Sequence, residues 1–133
     1  MFMPFAVGVA LALGVGLMAT IVGFDRERSF YSAILIVVGS LYTLFAVMGG
    51  SSRALALELV GCAVFLVAAI VGFRRSMWLV AAGLALHGLF DFVHGHVVDN
   101  PGMPAWWPAF CGAYDVVAAI YLGWLLTTRG GRR

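Results

Sequence analysis

Five apolar runs, each about the length that crosses a bilayer as a helix, fill this chain of 133 residues almost from end to end. A spanning helix needs roughly 17 to 25 such residues, and the runs fall near 4–24, 30–49, 54–73, 76–97 and 107–127. The connections at 25–29, 50–53 and 74–75 do little more than reverse the chain, so consecutive runs must lie antiparallel and adjacent. With 63% hydrophobic and 11% charged residues and a mean hydropathy of +1.03, a soluble domain is excluded. The expected fold is an all-α integral membrane protein, a single membrane domain over 1–133 built as a compact five-helix bundle. The first run lacks the basic leader and small-residue cleavage site of a signal peptide, and is expected to span the membrane.

Charge placement predicts an orientation. Basic residues of short loops collect on the cytoplasmic side. An N-terminus outside and a C-terminus inside put Arg26, Arg28, Arg74, Arg75, Arg129, Arg132 and Arg133 inside and leave Arg53 alone outside. Trp106 and Trp107 then fall at the outer interface, and Trp78 and Trp124 at the inner one, as an aromatic belt requires.

Within this apolar frame, residues 87 to 94 read H-G-L-F-D-F-V-H. Ionisable groups at membrane depth are costly and mark function by default. Helical offsets of four and seven place His87, Asp91 and His94 within about 60° of arc. In the expected topology Glu58 lies about one turn below the outer boundary and Asp115 about two turns below it. All intramembrane carboxylates thus fall in the outer half. Cys62, Cys111 and Tyr114 share faces with these acids, while His96 points to the opposite side of its helix from His87.

Three carboxylates and two imidazoles call for a compensating cation. A divalent transition metal supplies it, with zinc the best match and iron or manganese also suited to nitrogen and oxygen ligands. Proton sharing among the carboxylates is the other compensation, and residue types alone admit both. A purely structural role as hydrogen-bonding glue between helices, worth under about 2 kcal/mol, is the plainest alternative.

The succession of Glu58, the basic pair Arg74 and Arg75, H-x-x-x-D-x-x-H at His87, Asp91 and His94, the dipeptide Asn100 and Pro101, and finally Cys111 and Asp115 resembles a family of small, uncharacterised bacterial multi-pass membrane proteins. The family has no assigned function, so the resemblance supports the choice of residues and implies no chemistry. Its members often carry a second histidine directly after the position of His94, where this chain has Gly95. The residue types are also similar to those of seven-helix membrane hydrolases that bind zinc through histidine and aspartate, although the spacing differs and the comparison is one of analogy.

The expected function is that of a metal-dependent membrane enzyme. His87, Asp91, His94 and Asp115 are the expected ligands, and Glu58 the expected general base. An open position on such a metal acidifies a bound water, and hydrolysis of a lipid or other amphiphile from the outer leaflet is the concrete expectation. A metal-ion or proton carrier or channel using the same cluster is the alternative, as is a non-catalytic subunit that binds metal, haem or another membrane protein. Small residues at spacing four in the first run, Gly8, Ala12 and Gly16, offer a face for a second copy of the chain or for internal packing. Nucleic acid is not an expected partner, because the basic residues occur only as short flanks suited to anionic head groups. Every basic residue is arginine, and with abundant Ala, Gly and Val this suggests a GC-rich bacterial genome, so the expected location is the bacterial inner membrane.

Overall fold

The computed structural model describes residues 2–129; Arg132 and Arg133, assigned above to the inner side, lie outside them. It is an all-α bundle of five long apolar helices, a multi-pass membrane architecture: α1 (Phe2–Val22), α2 (Ser29–Met48), α3 (Ser52–Arg75), α4 (Met77–Val97) and α5 (Trp107–Thr128). Each helix end has a local cause. Gly23 adopts a left-handed conformation and its N–H donates to the Ala19 carbonyl at 2.8 Å, closing α1. Ser51 caps α3 by accepting from the Ala54 N–H at 3.1 Å. Ser76 ends α3 and begins α4, accepting from the Trp78 N–H at 3.3 Å, so this hairpin has no spare residue. Pro108 sits in the first turn of α5, where its missing N–H costs nothing.

Contacts along the bundle fix direction. Arg28 lies against Phe73, and Gly39 against Phe65, so α2 and α3 are antiparallel. Gly72 packs on Val80 while Glu58 reaches His94, which does the same for α3 and α4. Gly88 packs on Val116, and Trp78 lies near Gly123, which sets α4 against α5. Gly8 packs on Phe110 and Ala113, and Gly16 on Tyr121, so α1 runs parallel to α5.

The small face of α1 is therefore used inside the chain: Gly8, Ala12, Gly16 and Ala19 are buried, with Gly8 and Gly16 set directly on α5. Internal packing, rather than a second copy, occupies that stripe.

The bundle has two distinct ends. At one, Arg28 donates to the Phe73 carbonyl at 2.7 Å, placing a cation at the C-terminus of α3. Arg129 pairs there with buried Asp25 at 3.0 Å, and Thr20 bonds both Asp25 and Tyr121, tying the first turn to α1 and α5. Arg26, Arg74 and Arg75 lie at this same end, as do Trp78 and Trp124. The other end carries the α2–α3 turn with Arg53, the α4–α5 loop and Trp106 and Trp107. Between them, Leu35, Val80, Leu84, Leu122 and Leu125 form an apolar core.

Candidate metal centre

The close approach of α4 and α5 positions the centre. A Cβ on Gly88 would meet the Gly112 carbonyl oxygen at 3.0 Å and Val116 at 2.8 Å, so only glycine lets the two backbones come this near. His87, beside it in sequence, is thereby carried to Asp115: its Nδ1 lies 2.7 Å from Asp115 Oδ2 and 3.5 Å from Asp91 Oδ2. Cys111, one turn before Asp115, donates its thiol to the same Oδ2 at 3.6 Å. The four side chains offer ligand atoms that all lie within 4.8 Å of one another, and all four are buried. This is a His/Asp/Cys/Asp cluster able to chelate a metal ion, geometrically suited to a divalent cation.

Two carboxylate oxygens of the cluster, Asp91 Oδ2 and Asp115 Oδ1, are buried without a hydrogen-bond partner. Unpaired acceptors of this kind are expensive away from water. A divalent cation shared between them would satisfy both, as would a shared proton, and one imidazole, one thiol and two carboxylates are a donor set able to hold such a cation.

A second tier lies nearer the loop end. His94 Nε2 is 2.6 Å from Glu58 Oε2, and Asn100 donates its amide both to that oxygen at 2.7 Å and to the Tyr42 carbonyl at 2.9 Å. Asn100 belongs to the α4–α5 loop, yet it is buried, and Gly102 holds it by donating its N–H to Asn100 Oδ1 at 3.2 Å. The backbone of Gly102 presses against the Phe45 carbonyl with no room for a Cβ. The loop thus plugs this end of the bundle. His94 Nδ1 is buried without a partner.

Tyr42 joins the tiers. Its ring stacks on His94 with centroids 3.7 Å apart and planes at 5°, while its hydroxyl donates to Asp91 Oδ1 at 2.6 Å. Phe65 packs edge-on against His87 at 4.6 Å, and Phe90 stands between the two imidazoles. The polar groups are enclosed by aromatic rings and helix backbone.

The sequence-derived residues therefore divide. His87, Asp91 and Asp115 come together, joined by Cys111, whereas His94 and Glu58 pair on the adjacent tier. The cause is axial rise: seven residues carry His94 about 10 Å along α4 from His87, and the carboxylate at that height is on α3. The acids that were expected at one level occupy two. Cys62 is only half-buried and His96 is exposed, so neither joins the centre; both cysteines are free thiols. Tyr42 carries no signal in the sequence, since a tyrosine in an apolar run reads as packing.

The chain matches no family model, no curated protein and no solved structure.

Proposed function

We propose that this protein is a metal-dependent membrane hydrolase acting on a lipid or other amphiphile from the outer leaflet of a bacterial inner membrane. The observation that carries the proposal is the convergence of His87, Asp91, Cys111 and Asp115, with two unsatisfied carboxylate oxygens, inside a membrane-spanning bundle. Leaving carboxylates ionised there without a cation costs roughly 2.5 kcal/mol or more each. The arginine-rich end supports a cytoplasmic position for the α3–α4 turn, and in this reading the centre lies in the outer half with the N-terminus outside.

In this proposal His87, Asp91 and Asp115 hold the metal with Cys111. Bound there, the metal supplies Lewis-acid activation of water and of the scissile carbonyl or phosphoryl group. Glu58 serves as the base through His94: accepting from Nε2–H, it fixes the tautomer that leaves Nδ1 free to take a proton, the logic by which a carboxylate orients a catalytic imidazole. Hydrolysis adds the water's hydroxyl to the acyl or phosphoryl atom and its proton to the leaving alcohol. Beyond His87 the core holds tyrosines but, among the described residues, no carboxylate or imidazole before Asp25, which favours chemistry over conduction of a metal ion.

Elemental analysis of purified protein beside an Asp91→Ala control tests the metal. Near-stoichiometric transition metal in the wild type, lost in the control, is the expected result; no metal after reconstitution would overturn the proposal. Hydrolysis of membrane esters and phosphoesters by the loaded protein, abolished in Glu58→Gln with metal retained, tests the chemistry.

A further inference from the structure

An open-sided groove of about 500 Å³ runs between α1, α2 and α5 and reaches Cys111 of the candidate metal centre. Its volume lies in the range of sites that bind small ligands. Along α2 it extends from Ser29 to Leu41, about 18 Å at 1.5 Å per residue. Leu11 and Val15 of α1 form one wall, Ala33 and Val37 of α2 the other, and Trp107 and Cys111 close the end beside the cluster. The walls are apolar over most of this length, with Ser29 at one end, Cys111 and Trp107 at the other and Tyr114 between them.

Two observations identify the occupant. The groove is continuous with the lipid-facing surface, for Leu11, Ala33 and Val37 are exposed on spanning helices, so the molecules that reach it are those of the bilayer. Its closed end carries chemistry: Cys111 bonds Asp115 of the cluster, and the buried indole N–H of Trp107 has no acceptor in the protein. A buried donor without a partner is rare and costly.

We propose that this groove holds the acyl chain of a lipid ester substrate, with the ester beside Trp107 and Cys111 and the chain directed along α2 towards Ser29. The ester rests on the hydrolase proposal; the chain does not. The orientation rests on the metal proposal, since Cys111 of the cluster lies at that end and Ser29 at the other.

Photo-crosslinking of the metal-loaded protein in lipid nanodiscs with a diazirine-bearing palmitoyl ester, mapped by peptide mass spectrometry, tests the chain site. Adducts are expected on Ala33 and Val37 in several-fold excess over the lipid-facing Val60 and Val64 of α3, and Ala33→Trp should remove the excess while metal content stays at the wild-type value. Equal labelling of the two faces would overturn the proposal. Enzymatic assays separate the two ideas: Ala33→Trp should lower the palmitoyl-to-butyryl ratio of kcat/KM roughly tenfold or more. Groove labelling without hydrolysis of either ester would sink the hydrolase and leave the chain site standing. Hydrolysis whose chain-length ratio is untouched by Ala33→Trp would do the reverse.

Discussion

Tyr42 is the side chain on which the two tiers depend, and its role is to hold other groups in place. By donating to Asp91 Oδ1 it turns Oδ2 towards the cluster, and by stacking on His94 it fixes the plane of that imidazole. Partners of metal ligands typically tune affinity by about 10- to 100-fold. Tyr42→Phe keeps the ring and removes the hydroxyl, so metal affinity measured by chelator competition should fall within that range while helix content is unchanged. An unchanged affinity would show that Asp91 needs no such support. Residues of this kind are hard to see in a sequence for a physical reason. Glu58, His87, Asp91 and Asp115 were conspicuous because a charge in hydrocarbon demands an explanation; Tyr42 raises no such flag, and Asn100 stood out only through the Asn-Pro of the resemblance, with no hint of its bond to Glu58.

At the scale of the helices, the cluster depends on how near α4 lies to α5. Gly88→Val puts branched carbon where the Gly112 carbonyl and Val116 already sit. Overpacking of this sort costs about 1 to 3 kcal/mol, so the variant should melt at a lower temperature in detergent and lose metal together with His87–Asp115 contact. The α4–α5 loop offers a complementary test. Asn100→Ala removes both amide bonds to Glu58 and the Tyr42 carbonyl, and hydrolysis should drop while metal content persists, because the affected tier is that of His94. Loss of metal in Asn100→Ala would instead join the two tiers into one site. The helices themselves were legible in the apolar runs, with ends that differ by one or two residues, as 4–24 differs from Phe2–Val22. The pairing of His94 with Glu58 was not, because periodicity gives the arc a residue occupies on its own helix and says nothing of which neighbour stands at its height.

For the molecule as a whole, a metal bound at the cluster would enter its stability alongside the bilayer. A ligand that binds only the folded state at about 100 times its Kd contributes roughly 2.7 kcal/mol, so chelation should lower the melting temperature of the wild type and leave Asp91→Ala unmoved. Orientation is testable with one added cysteine in a Cys62→Ser background, where the remaining Cys111 is buried: a thiol at Arg53 should react with an impermeant maleimide from outside intact cells, and one at Arg74 only after lysis. The opposite pattern would move the centre to the cytoplasmic leaflet and with it the proposed substrate pool.

The parallel pairing of α1 with α5 has a consequence for biosynthesis. During translation at about 5 to 20 residues per second, the first helix emerges on the order of ten seconds before the last one that it packs against. It must wait in lipid on its own, and its sequence suits that interval, for it carries no ionisable residue and its most apolar window averages 2.4 in hydropathy, against 1.4 and 1.6 for α4 and α5. The helices that bear the centre are the least able to insert unaided and the last to be made, and they arrive when α3 is already present to receive Glu58's partner. Docking of α5 onto α1 and α4 then completes the groove wall and the His/Asp/Cys cluster in one late event, so a chain stalled before residue 107 would be anchored in the membrane yet lack both.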